Sequence, residues 1–310
     1  MKTLLIVNPS ASAVSARNRV LVRNALAAAH EVEVAETSRR GHAIRLALGA
    51  AATGFELVVA FGGDGTVNEV ANGLARGNTA MAVLPGGSTN VFARTLGFTN
   101  DPVAASEQLV SALKGGNGTF RRIGLGNVNG RFFCFHVGMG FDAAVVAEVE
   151  KRDTFKRWLG HPLFIYAGIT TWARHFDRRR VPFFAELLGG NGEVCERVDG
   201  FLAIAMNTDP YTFLGSRPLS LVPDAGLDDP LALVSLTSMS LRETLRAVGA
   251  AVRGGGRLER LANVEVRRGL QHFRVVGNRP FPWQVDGDHL GDTERLEFHF
   301  EPECLTLVTP

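Results

Sequence analysis

The chain has 310 residues, a formal net charge of +2, 45% hydrophobic and 21% charged residues, and 35 glycines. That length exceeds the usual reach of one hydrophobic core, so two domains are expected, and the composition is that of an ordinary globular protein rather than a disordered or fibrous one. So small a charge gives no ground for a nucleic-acid partner, and the widely spaced Cys134, Cys195 and Cys304 argue against a disulfide framework or zinc site and for a reducing cytoplasm.

The opening MKTLLIV superficially resembles a secretion signal, but its apolar run ends at Asn8-Pro9 and is read as a buried first strand. No window offers about 18 consecutive apolar residues, so no transmembrane helix is expected. Alternation of apolar runs and helical patterns then predicts strands at Thr3–Val7, Val32–Ala35, Leu57–Phe61 and Ala80–Leu84. Helices are expected at Ala16–Ala29, His42–Ala52, Thr66–Ala75 and Val91–Leu96, giving a parallel-sheet α/β domain over residues 1–120.

After Thr119 the pattern changes to short strands with turn signals. Asn129-Gly130 suits a type I′ hairpin between Ile123–Val128 and Arg131–Val137. Further strands are expected at Phe201–Met206, Leu231–Leu236, Val264–Arg267 and Phe273–Val276, with helices at Ala143–Lys151, within His161–Phe176, and at Ser240–Gly249. Residues 121–310 thus form a second, mostly antiparallel β domain, whose last strands, Glu297–Phe300 and Leu305–Val308, could pair in either domain.

Chemistry concentrates in two glycine loops at the carboxyl ends of strands, where open α/β sheets bind ligands. In the first, FGGDGTVNEV, Gly62 and Gly63 allow phosphate oxygens to approach without meeting a Cβ, ahead of a helix N-terminus. An acid in such an anion cradle is best explained as a partner of Mg²⁺, although Asp64 and Thr66 also suit plain helix caps. The second loop, LPGGSTNVF, repeats the arrangement with Gly86, Gly87, Ser88, Thr89 and Asn90, and a plain type II turn is its alternative.

Together FGGDGTVNEVANGL and LPGGSTNVFARTLG resemble the catalytic domain of the diacylglycerol kinase family, which includes sphingosine, ceramide and bacterial lipid kinases. Val7-Asn8-Pro9, Thr37 before Arg40-Gly41-His42-Ala43, and Asp286-Gly287-Asp288 extend the likeness along nearly the whole chain. The resemblance implies a two-domain fold: a nucleotide domain similar to those of phosphofructokinases and NAD kinases, then a β-sandwich-like domain. It implies ATP binding by Asn8, Thr37, Gly62, Gly63, Asp64, Gly65, Thr66, Val67, Asn68, Gly87, Ser88 and Asn90. Asp64 would hold catalytic Mg²⁺ through water, and Asp288 would accept the proton of a lipid hydroxyl. Two positions depart from the family: Val91 stands where an Asp is common, and Asp288 where Glu is usual.

The turn Asp286-Gly287 is by itself as well read as a hairpin, with Asp286 the alternative base. At Asp224, Asp228 and Asp229, where bacterial relatives can hold a structural Mg²⁺, Pro230 interrupts the family pattern and a solvated acidic turn competes. Residues 151–180 hold eight Lys or Arg against two acids, interleaved with Phe155, Trp158, Phe164, Tyr166, Trp172 and Phe176. That mixture suits a peripheral membrane surface, and equally a core with Arg178–Arg180 as a solvated helix end. The expected activity is phosphoryl transfer from ATP to a lipid, diacylglycerol first. Its rivals are an NAD kinase or phosphofructokinase-like enzyme, and a non-catalytic nucleotide- or lipid-binding regulator. A homodimer is left open.

Overall fold

The computed structural model describes residues 1–114, 119–150, 180–254 and 256–310. The window at residues 151–180, with the helix expected within His161–Phe176, lies outside the described residues except for Arg180. The chain divides into unit 1, Met1–Leu125 with Pro302–Pro310, and unit 2, Gly126–Glu301.

Unit 1 alternates strand and helix: β1 (Lys2–Val7), α1 (Ala16–Ala27), β2 (Glu31–Glu36), α2 (His42–Ala52), β3 (Leu57–Gly62), α3 (Asp64–Leu74), β4 (Ala80–Pro85), α4 (Val91–Thr95) and α5 (Pro102–Lys114). The strands lie in the order β4-β3-β1-β2, every pair parallel. All six residues of β3 and of β4 are buried. A parallel sheet covered on both faces produces this, and it explains why those strands read as unbroken apolar runs. Ser15 caps α1 through the Asn18 N–H. Asp101 caps α5 by accepting the N–H groups of Val103 and Ala104, a helix for which Asp101-Pro102 is the start signal.

Unit 2 is built from β5 (Thr119–Val128), which enters from unit 1, β6 (Arg131–Phe133), β7 (His136–Gly140), α6 (Phe141–Glu150), β8 (Phe183–Leu188), β9 (Val194–Gly200), β10 (Leu202–Met206), β11 (Thr212–Leu214), β12 (Arg217–Leu219), β13 (Leu231–Leu236), α7 (Leu241–Val252), β14 (Val264–Leu270), β15 (His272–Val285) and β16 (Asp288–Thr309). Every ladder described within it is antiparallel. One half of β15 pairs with β8 and the other with β7, the register against β16 shifting between Val276 and Phe281. Phe133, Phe183, Phe273, Phe281 and Phe298 fill the core, with Phe273 stacked on its cross-strand partner Phe298 at 4.5 Å. The end of β16 reaches unit 1, where Leu307 pairs with Met81 of β4.

Two local expectations are corrected. The helix after the first glycine loop begins at Asp64 rather than Thr66, because extended Gly63 is its N-cap. The strand expected at Arg131–Val137 is broken at Cys134-Phe135, where backbone N–H groups leave the ladder for a buried carboxylate described below.

The helices α2 and α3 touch at Gly73, where an added Cβ would come within 2.7 Å of both the Ala47 Cβ and the Ile44 carbonyl oxygen. Alanine is the better helix former by about 1 kcal/mol, but overpacking against a backbone oxygen costs roughly 1–3 kcal/mol. Gly73→Ala should therefore lower the urea midpoint. A raised midpoint would show that the two helices have room to separate.

Candidate active site

The strand order of unit 1 changes direction between β1 and β3, since the chain leaves β1 for β2 and returns on the other side of β1. Carboxyl ends of strands at such a switch point form the ligand crevice of open α/β sheets. Asn8 follows β1 there, and Gly62 ends β3. The Asn8 N–H donates to the Phe61 carbonyl at 2.9 Å, and its side-chain amide donates to the Thr66 hydroxyl at 3.0 Å. Asn8 also accepts the Ser10 N–H, and Thr37 N–H donates to the Val7 carbonyl at 2.8 Å.

The two glycine loops stack on each other. Gly86 N–H donates to the Gly62 carbonyl at 2.8 Å. A Cβ on Gly62 would come within 2.6 Å of the Thr66 hydroxyl, one on Gly86 within 2.7 Å of the Gly62 Cα, and one on Gly87 within 2.9 Å of the Gly63 Cα. Gly63 differs, because its nearest neighbour would be the Gly87 Cα at 3.5 Å, an ordinary contact. Packing alone thus demands glycine at three of the four positions and leaves Gly63 to another cause. Asn90, in the left-handed region at φ 52°, closes the second loop: its Oδ1 accepts the Gly87 N–H at 2.7 Å and its amide donates to the Gly87 carbonyl and to Asn100.

Because Asn90 is occupied in this way, α4 has no side-chain cap of its own, and Asp64 supplies one from α3. Its two oxygens accept the N–H groups of Val91 at 3.0 Å and Phe92 at 3.1 Å. Glu69, one and a half turns along α3, does the same for α2, accepting from Gly41 at 2.6 Å and Ala43 at 3.0 Å. Burial lowers the pKa of Arg94, which the nearby Asp64 charge partly restores.

Gly63, Asp64, Gly65 and Gly87 are half-buried and Ser88 is exposed, so these positions can meet a ligand. Thr66, Val67, Asn68 and Asn90 are buried and shape the loops from behind. Glu69 was not singled out by its sequence pattern, although an acid five residues after Asp64 is the available signal. Asp64 is a carboxylate with about four lone-pair directions. Its donor chemistry fits Mg²⁺, which commonly takes one or two carboxylates together with substrate phosphates and water. Among the described residues, the group of three close His, Cys, Asp or Glu donors is His272, Glu297 and His299 in unit 2, so Asp64 is not part of an all-protein metal cage.

Within unit 2, Val285 pairs with Asp288 across Asp286-Gly287, both turn residues having positive φ (48° and 85°), as a type I′ hairpin requires. The Asp286 carboxylate is buried and accepts the N–H groups of Cys134, Phe135 and His136 at 2.7–3.1 Å. Gln284 accepts the Gly287 N–H at 2.8 Å and donates to Asp142 at 2.9 Å, and Asp142 also accepts the Tyr211 hydroxyl at 2.5 Å. Asp288, by contrast, is the first residue of β16 and partly exposed, with an Arg131 nitrogen at 4.0 Å. At the acidic turn, the Asp229 N–H donates to the Gly226 carbonyl.

Burial raises the Asp142 carboxyl above its usual pKa, against the hydrogen bonds from Tyr211 and Gln284, and raises Tyr211 well above its own. Burial also holds the His136 imidazole down at about 3.

Two stability measurements test this cluster. Asp286→Ala leaves three buried N–H groups without their acceptor, each costing roughly 1–3 kcal/mol, so unit 2 should melt well below wild type. An unchanged melting profile would deny the carboxylate its anchoring part. For His136 the unfolded ring titrates near 6.5 and the folded one at about 3, so between those values the unfolded chain binds the extra proton. Stability should therefore fall on acidification from pH 6.5, by about 1.4 kcal/mol per unit from this group. Asp142 contributes oppositely, adding stability at low pH that is lost as pH rises through its raised pKa. Comparing His136→Gln with wild type leaves the Asp142 slope common to both. The variant should show the flatter acid limb, whereas parallel curves would mean the ring is not held neutral.

The chain is similar to known proteins in both sequence and fold. The diacylglycerol kinase catalytic domain matches residues 2–121. A Pseudomonas aeruginosa protein named "Probable lipid kinase YegS-like" is 32% identical over 91% of this chain and 86% of its own. The diacylglycerol kinase of Bacillus subtilis is 30% identical over 73% of this chain and 70% of its own. In fold, the crystal structure of a diacylglycerol kinase from Bacillus anthracis str. Sterne superposes with a TM-score of 0.71 at 21% identity, covering 100% of this chain and 97% of that one. Yeast NADH kinase complexed with NADH superposes with a TM-score of 0.51 at 12% identity, covering 100% and 84%. With relatives above 30% identity over 91% of its length, the chain belongs to the diacylglycerol kinase catalytic-domain family.

Proposed function

We propose that this protein is a lipid kinase that transfers the γ-phosphoryl group of ATP to a lipid hydroxyl, with diacylglycerol the first acceptor to test. The observation that carries the reading is the stacked pair of glycine loops at the switch point, in which Gly63, unlike Gly62, Gly86 and Gly87, has no packing reason to be glycine. A position kept open to approach beside a helix N-terminus suits a phosphate. In this reading Gly63, Gly65, Gly87 and Ser88 line the phosphates, and Asn8, Thr37, Thr66, Val67, Asn68 and Asn90 hold those loops in shape.

Asp64 would engage Mg²⁺ bound to the phosphates, directly or through water, and the bound ion would neutralise their charge. Asp288 accepts the proton of the lipid hydroxyl as its oxygen bonds to the γ-phosphorus and the bond to the ADP oxygen breaks. The half-exposed position of Asp288 supports that part better than does Asp286, whose oxygens are bound to three amides. The enzyme would work in the cytoplasm and visit the membrane peripherally.

Thin-layer analysis with labelled ATP and a panel of diacylglycerol, ceramide, sphingoid base and glycolipid tests the reading, and it fails if no lipid is labelled while NAD or a sugar phosphate is. Gly63→Ala is the sharper probe of the phosphate site, since the added methyl has room in the fold. It should lower the melting temperature by no more than the small cost of Ala at the α3 N-cap and weaken ATP binding at least about tenfold. Asp288→Asn should lower kcat by roughly 10²–10⁴-fold with ATP affinity kept. Near-normal kcat would remove Asp288 from the mechanism.

A further inference from the structure

The outer face of α7 bears two parallel stripes. Leu241, Leu245, Val248 and Val252 recur at i, i+4, i+7 and i+11, and all four are more than two-fifths exposed. Displaced by one residue, Arg242, Arg246 and Arg253 form a second exposed stripe beside the first. Ala247, Ala250 and Ala251 face the core from the opposite side. The helix is firmly started: Ser240 caps it through the Glu243 N–H, and the Glu243 carboxylate accepts the Ser238 and Ser240 hydroxyls. Leucine and valine have no reason to face water along a whole helix, and polar residues there would serve unit 2 equally well.

We propose that α7 is a membrane-docking helix, lying in the interface of an anionic bilayer with Leu241, Leu245, Val248 and Val252 immersed and Arg242, Arg246 and Arg253 on the headgroups. The proposal rests on the lipid-kinase reading and adds the surface by which the enzyme would reach its acceptor. Charge complementarity selects this occupant, because a cationic stripe flanking an apolar one matches the layering of headgroups over acyl chains. A second copy of the chain fits less well. Twelve residues at 1.5 Å per residue give about 18 Å of helix, and one narrow stripe of that length falls far short of the roughly 800 Å² per partner of a standard interface. The residues that form this surface are none of those in the window at residues 151–180.

Sedimentation with vesicles of equal phosphatidylcholine and phosphatidylglycerol, without ATP, tests docking independently of turnover. Leu245→Asp with Val248→Asp should weaken vesicle binding at least about tenfold at low and at high salt. Arg242→Gln, Arg246→Gln and Arg253→Gln together should weaken it at low salt and converge on wild type at high salt. Both variants should keep the wild-type melting temperature and activity on a soluble short-chain acceptor. Vesicle binding indifferent to both variants would overturn the proposal. So would a melting temperature lowered by the aspartates, which would mean the chain itself covers the stripe, or a wild-type dimer that they dissociate. A wild-type protein that docks through α7 but phosphorylates no lipid would remove the kinase reading and leave the docking surface standing.

Discussion

The bond between the Asp64 carboxylate and the amides of Val91 and Phe92 is the contact on which the geometry of both glycine loops depends. At five residues, α4 is too short to persist by intrinsic propensity. Its own N-cap, Asn90, is turned back to close the second loop. An anion from outside must therefore satisfy its first N–H groups, and α3 provides it from the first loop. The same bond answers an electrostatic difficulty. A carboxylate beside the proposed phosphate site is unfavourable by itself, but here it faces the positive end of a helix and two donors. Val91 contributes through its backbone, so a side chain other than the family's usual Asp keeps the bond. It also means that neutralising Asp64 would disturb the α4 cap whether or not an ion is bound there.

The glycines of the two loops divide by what surrounds them. Gly62, Gly86 and Gly87 let two backbones and a threonine come closer than any Cβ permits, which makes them requirements of the fold. In the sequence all four look equally like phosphate-binding positions, since each follows an apolar strand. Gly73 belongs to the first group although it lies mid-helix, where glycine is usually a cost. Carboxylates divide similarly: Glu69 and Asp286 bind backbone amides and organise their units, whereas Asp288 is held near an arginine at a partly open position.

Much of unit 1 was legible because its signals are local. Buried parallel strands give unbroken apolar runs, and His42–Ala52 is bounded as its helical periodicity predicts. The hairpin at Asn129-Gly130 was equally legible, since only a residue pair tolerant of positive φ fits it. What stayed hidden depends on partners distant in sequence. That Asp64 caps the next helix, 27 residues away, is set by how two βα units stack. The break at Cys134-Phe135 is set by a carboxylate about 150 residues downstream, so no alternation of apolar residues could reveal it. The strands β8 and β9 carry Glu186, Glu196 and Arg197 among their apolar residues, and ion pairs with Arg274 and Arg267 accommodate those charges only once β14 and β15 are in place.

The proposed role of Asp288 as base raises the question of how a shorter acid is positioned, and the turn before it bears on that. Aspartate reaches one methylene less far than glutamate, and an error of about 1 Å is costly in proton transfer. A short side chain is therefore useful only if its backbone is closely fixed. Three constraints fix it here. Positive φ at Asp286 and Gly287 defines a two-residue turn with no slack. The Asp286 carboxylate ties the turn to the break between β6 and β7. Gln284 holds the Gly287 N–H and is itself held by Asp142, which Tyr211 orients from the other side. That chain of bonds is buried and tolerates little reorganisation, because each donor lost would leave a buried partner unsatisfied. A short carboxylate on a rigid turn also loses less conformational freedom on meeting a substrate than a longer one on a mobile loop. On the proposed role of Asp288 as base, the advantage of Asp at this position lies in preorganisation, and it holds only while Asp286, Gln284 and Asp142 remain together.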